Sequence, residues 1–145
     1  MSFPTRLRSY AQLPREERRL SVRALWWIAV ARAGLFLFAF TRVRAFTSRV
    51  ARPGTASPAE WPQLVRRAVI RASRSLPGST CLAQSLAAER LLLQGGCDAR
   101  LSIGVAPGGS RRSLDAHAWV ESGGVLVTGD DQHERYELLA TLGPE

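Results

Sequence analysis

The sequence predicts an α+β chain in which helices come first and a small antiparallel sheet comes last. Apolar residues recur at helical spacing until about Gln94, whereas "ARLSIGV" alternates Leu101, Ile103 and Val105 at the period of a strand. Two further strand-like runs, "AHAWVE" and "VLVT", are joined by Ser122-Gly123-Gly124, a good hairpin turn. At 145 residues the chain can bury a core without help from disulfides or a metal ion.

The elements follow in order. Residues Pro14 to Arg23 lead into "ALWWIAVARAGLFLFAF", Ala24 to Phe40, which is apolar all round apart from Arg32. It is short of the roughly 20 residues a bilayer needs, and a central arginine costs about 2.5–3.5 kcal/mol in a span. The simplest expectation is a helix lying on the rest of the domain or on a partner, with Arg23, Arg32, Arg42 and Arg44 reaching water. A membrane-surface helix with Trp26 and Trp27 at the interface is the alternative. The opening "MSFPTRLRSYAQLPREERRL" lacks the apolar run and small-residue cleavage site of a secretory signal, which points to a cytoplasmic, possible membrane-associated protein with free thiols.

"SRVARPGTASPAEW", Ser48 to Trp61, concentrates Pro, Gly, Ser and Thr. The division expected is a helical region over 1–50, a linker over 51–60 and a second domain over 61–145. Pro62 suits a first helical turn, and Leu64, Val65, Ala68, Val69 and Ala72 give that helix its stripe until Pro77-Gly78 breaks it. Ser79 or Thr80 caps the next helix, Cys81 to about Gln94, and Gly95-Gly96 stops it. "PGGSRRS" reads as an exposed loop. The last stretch, "ERYELLATL", fits strand and helix equally.

All 20 basic residues are arginine, against 12 carboxylates, for a formal charge of +8. With abundant Ala, Leu and Gly, this is the usage of a GC-rich bacterial genome, so the charge speaks only weakly about partners. It favours acidic peptides, phosphates or anionic lipid. No helix-turn-helix, zinc-finger or aromatic-sheet motif supports nucleic-acid binding.

Cys81 carries the chemistry. At the first turn of a helix, unpaired backbone N–H groups and the positive end of the dipole favour a thiolate, and the same groups can hold an oxyanion. A cysteine there is more often a small buried residue, and His117 is what raises its interest. The "AHAWVE" strand alternates Ala116, Ala118 and Val120 on one face with His117, Trp119 and Glu121 on the other. With the hairpin turning about Gly123, Gly129 falls opposite His117 and Asp130 is its neighbour. Nucleophile, base and orienter then have three candidates in the order Cys81, His117, Asp130.

Other residues read as structural. Cys97 is a small packing residue and His133 a solvated loop residue. Trp119 packs, or walls a groove beside His117. Arg111 and Arg112 sit in a solvated turn, and Glu89 is a surface residue beside Arg90. Cys81, Cys97, His117 and His133 lack the close pairing of structural zinc ligands. "APGGS" lacks the GK[ST] of a phosphate loop, and neither metal nor cofactor is expected.

"CLAQSLAAERLLLQGGCDARLSIGV" followed by "AHAWVE" resembles the transglutaminase-like cysteine peptidases of lasso-peptide biosynthesis, which remove the leader from a ribosomal precursor. The resemblance runs from about Leu64 to Leu142 and extends in character to the arginine-rich apolar N-terminal helices. It implies a transglutaminase-like or papain-like core, a nucleophile helix on a small antiparallel sheet, preceded by N-terminal helices. It implies Cys81 as nucleophile, His117 as general base and Asp130 as third member. The glycine turn is one residue longer than usual, which keeps Asp131 open as an alternative. No glutamine stands a few residues before Cys81 to complete a papain-style oxyanion hole. In this family the leader-recognition domain is either fused in front or separate. The short N-terminal stretch here implies the split form, with the precursor leader as substrate, a separate leader-binding protein as partner and the ATP-dependent lasso cyclase alongside. Two competing functions remain open: an acyltransferase or transglutaminase on the same triad, and a non-catalytic membrane-associated interaction module.

Overall fold

A computed structural model of the chain describes residues 8, 10–49, 59–108, 113–129 and 133–143. The first long helix, α1, spans Arg15–Leu37, with Glu16 and Glu17 in its first turn where the dipole favours acids. Leu20, Ala24, Ile28 and Ala31 repeat at helical spacing and form its buried stripe. At Phe38 the backbone turns extended and its N–H closes on Gly34 O at 2.7 Å, so the apolar run is not one helix to Phe40. The chain doubles back as α2, Phe40–Thr47. Gly34 lets the two helices approach, because a Cβ there would stand 3.2 Å from both Val43 methyl groups.

Helix α3, Trp61–Ser75, carries Pro62 in its first turn and buries Val65, Ala68, Val69 and Ala72 as its pattern requires. Leu76 leaves the helix in extended conformation, and Gly78 takes φ +74°, a left-handed turn that favours glycine. Helix α4, Cys81–Gln94, follows and stops at Gly95 and Gly96. It is the central helix. Ala83, Ser85, Leu86, Ala87, Ala88, Glu89, Leu91 and Leu92 are all buried, so apolar contact surrounds most of it.

The strands are β1 Arg100–Pro107, β2 Leu114–Ser122, β3 Val125–Thr128 and β4 Glu137–Leu142, in the spatial order β3-β2-β1-β4 and antiparallel throughout. The ambiguous last stretch is therefore a strand, entered through a short 3-10 turn at His133–Arg135. Ala118, Val120 and Val127 from the sheet join the helices in one hydrophobic core that also takes in Leu20, Ile28 and Val43.

Glu89 is not a surface residue. It is 2% exposed and accepts a 2.7 Å hydrogen bond from Arg44 Nη2, so Arg44 on α2 reaches this carboxylate rather than water. Burial pushes the Glu89 carboxyl up, and the neighbouring Arg44 guanidinium only partly offsets it. Arg90 packs over the Trp27 ring at 4.4 Å and donates to Thr47 O at 3.2 Å, a second tie between α4 and the N-terminal helices. Helix α1 is long and apolar enough to cross a membrane by length and composition. Its inner stripe is buried, while Trp26 and Phe36 stand 65% and 90% exposed.

Candidate active site

Cys81 opens α4 as a half-buried free thiol. Thr80 is the N-cap, and its hydroxyl accepts from Ala83 N–H at 3.2 Å. That leaves the N–H groups of Cys81 and Leu82 without an intrahelical acceptor, a pair of donors at the thiol's own end of the helix. The approach loop is held by Gln84, whose Nε2 donates to Ser79 O at 3.3 Å and bonds Ser79 Oγ at 3.2 Å. Arg32 donates to Pro77 O at 2.8 Å, tying the same loop to α1. Between them lies an open groove of about 670 Å³, walled by Leu76, Gly78 and Thr80 on one side and Ala33, Phe36 and Leu37 on the other.

His117 lies on β2, where Ala116, grouped by the sequence with the inner face, is exposed. Ala118 and Val120 face the helices in the core, and His117 and Trp119 share the opposite face. The imidazole stacks near Trp119, 6.3 Å between centroids, and closer to Tyr136, at 5.0 Å and 23°. Its Nε2 is buried and has no hydrogen-bond partner among the described residues. A buried, unsatisfied imidazole nitrogen is costly unless something completes it.

The expected hairpin register is shifted. The turn pairs Ser122 with Val125, one residue off the expected register, and a bulge between Val120 and Glu121 adds a second by pairing Val120 with Thr128, which carries Gly129 past the end of β3 to stand beside Trp119 rather than opposite His117. A Cβ on Gly129 would lie 2.7 Å from Trp119 Cβ and 3.6 Å from His117 Nε2, and the residue takes φ +100°. The chain thus leaves β3 next to His117 Nε2. Asp130 and Asp131, like Arg111 and Arg112, lie outside the described residues.

One side-chain bond ties the helix that Cys81 opens to the strand that ends beside His117. Ser85 stands one turn beyond Cys81, and its hydroxyl bonds Thr128 Oγ1 at 2.9 Å, immediately before Gly129. No hydrogen bond joins the Cys81 thiol to His117 among the described residues. Burial, with Asp98 beside it, pushes the Cys97 thiol up, which keeps it protonated where it packs against the core.

Ser85, Thr128, Gly104 and Tyr136 carry little signal in the sequence. A serine amid the leucines of the Cys81 helix and a glycine inside the strand "LSIGV" were the available signals, since an interior strand glycine often marks close approach. Tyr136 fell in the stretch whose structure was ambiguous.

Residues 24–141 match the Transglut_core3 family, described as the transglutaminase-like superfamily. The chain belongs to that superfamily, whose members are generally cysteine-dependent enzymes, peptidases or acyl transferases. Searches of curated proteins and of solved structures gave no match.

Proposed function

We propose that this protein is a cysteine peptidase that removes the leader from a ribosomal lasso-peptide precursor, with Cys81 as nucleophile, His117 as base and Asp130 as orienter. The observation that carries the chemistry is the buried Nε2 of His117, without a hydrogen-bond partner among the described residues and beside Gly129, one residue before Asp130. An aspartate following Gly129 is well placed in sequence to accept from that nitrogen, which leaves Nδ1 for the thiol. Asp131 is the alternative acceptor. The lasso assignment itself rests on the sequence motifs "CLAQSLAAERLLL" and "AHAWVE".

In this reading His117 takes the proton of Cys81 and the thiolate attacks the carbonyl at the end of the leader. The N–H groups of Cys81 and Leu82 stabilise the tetrahedral oxyanion. Collapse expels the core peptide as a free α-amine that receives its proton from His117, leaving the leader as a thioester on Cys81. Water activated by His117 then releases the leader acid.

The separate leader-binding protein is proposed to dock on the apolar end of α1, where Phe36, Leu37 and Phe38 are exposed beside the groove that reaches Thr80. The lasso cyclase works alongside. The protein is placed in the cytoplasm, with membrane contact through α1 as the variant of that placement.

An acyltransferase on the same residues differs only in the acceptor. Cleavage of a precursor in ¹⁸O-labelled water, with a primary amine present, separates the two. A leader fragment carrying the label in its terminal carboxylate is the expected product, and a leader amide would assign the transferase instead.

A further inference from the structure

We propose that Tyr136 is the positioning residue of His117 and that Gly104 is the gap through which it acts. This rests on the reading of His117 as the base. An imidazole turns easily about its last side-chain bond, since that torsion has broad, two-fold wells. A base that must aim one nitrogen at a thiol and the other at a carboxylate needs that rotation stopped. A ring lying on the imidazole face stops it while leaving both in-plane nitrogens free.

The geometry around Tyr136 provides such a ring. Tyr136 precedes β4, on the far side of β1 from His117, so its side chain must cross β1 to reach the imidazole. It crosses where Gly104 pairs with His117. A Cβ at Gly104 would lie 2.8 Å from Tyr136 Cβ and 3.0 Å from Trp119 Cη2, too close for any side chain. Gly104 has no positive φ, so the requirement is for space alone. The β1–β4 register shifts between Ile103 and Gly104, which re-aims the chain at the crossing.

The far end of the ring is also held. Tyr136 Oη donates to Asp115 Oδ2 at 3.1 Å, and Arg135 meets the same oxygen at 3.6 Å while lying 5.1 Å above the tyrosine ring. Asp115, His117 and Trp119 are successive positions on one face of β2. The tyrosine is anchored on the first, lies on the second and abuts the space of the third.

The test uses the full chain with its leader-binding protein, comparing wild type, Tyr136→Phe, Tyr136→Leu, Gly104→Ala and His117→Ala. Two readouts are taken: precursor cleavage, and the NMR resonances of the His117 ring protons, which a stacked tyrosine displaces by its ring current. The chain has 2 histidines, so His117→Ala assigns the signal. Tyr136→Leu is expected to lose the displaced resonance and roughly 10- to 100-fold in kcat with KM little changed. Tyr136→Phe should keep the resonance and most of the rate. Gly104→Ala should copy Tyr136→Leu; if it fails to fold, the two tyrosine variants decide alone. Full kcat in Tyr136→Leu, with His117→Ala inactive, would overturn the positioning role and leave the base intact. Cleavage undiminished in His117→Ala, or none by wild type, would overturn the catalytic reading and this proposal with it.

Discussion

Ser85 and Thr128 bring their hydroxyl oxygens to 2.9 Å inside the core, and Thr128 Oγ1 also accepts from Val120 N–H at 3.0 Å. One threonine oxygen thereby joins the Cys81 helix, the His117 strand and the edge strand that runs toward Asp130. The bulge between Val120 and Glu121 explains why the bond is needed. Where the ladder slips, the Val120 N–H turns to the threonine side chain, and the serine completes the hydroxyl.

Thr128→Val keeps the shape and removes the acceptor, leaving a buried N–H and a buried serine hydroxyl unsatisfied. The expected cost is about 1–3 kcal/mol by denaturant unfolding. Ser85→Ala should cost less, and in the double variant the two effects should fall short of their sum. A Thr128→Val protein as stable as wild type would show that this bond does not hold the elements together.

Glu89 and Arg44 set a pH dependence whose sign follows from the raised carboxyl. The ordinary carboxyl value is 4.5, and burial lifts Glu89 above it in the folded state. The folded protein therefore holds the proton more tightly than the unfolded chain. That advantage is complete below pH 4.5 and is lost as pH rises through the folded value. Glu89→Gln does not titrate, so its stability relative to wild type should climb from pH 4.5 upward and then level off. Thermal melts across this range check the direction; a relative stability that falls with pH would reverse the assignment. Arg44→Ala strands the carboxylate and should cost about 3 kcal/mol at pH 8, the low end for a buried pair because Arg44 is 24% exposed.

Asp130→Asn and Asp131→Asn separate the two candidates for the orienter. Loss of the true orienter is expected to lower kcat by about 10²- to 10⁴-fold with little effect on folding. The other variant should remain within a few-fold of wild type. Equal activity in both variants would remove aspartate from the mechanism.

Phe36→Ser and Phe38→Ser should leave stability within about 0.5 kcal/mol, because these rings are already exposed. They should nonetheless weaken association with the leader-binding protein, measured by titration calorimetry. Unchanged affinity would move the docking surface elsewhere, and vesicle binding by the wild type but not the variants would give this face to a membrane.

The strongly periodic parts of the fold were legible in the sequence. Val65, Ala68, Val69 and Ala72 needed only the helical period, and Leu101 with Ala118 and Val120 only the alternation of strands. That Cys81 opens a helix and that His117 lies within a strand were legible, because a capping threonine and the strand's alternation fix those places. What escaped depends on contacts between distant segments. Glu89 looks like a surface residue until Arg44, 45 residues earlier, arrives to pair with it. The hairpin register departs from expectation because the Gly123-Gly124 turn and the bulge each slip it by one residue and leave no periodic trace, and Tyr136 escaped because its partner lies across a strand that Gly104 leaves bare.

The most direct measurement is mass spectrometry of a lasso precursor incubated with the leader-binding protein and either wild type or Cys81→Ala. Wild type should release a leader fragment and a core with a free α-amine, and Cys81→Ala should release neither. Equal fragments from both proteins, or none from wild type, would contradict Cys81 as the nucleophile of a leader peptidase.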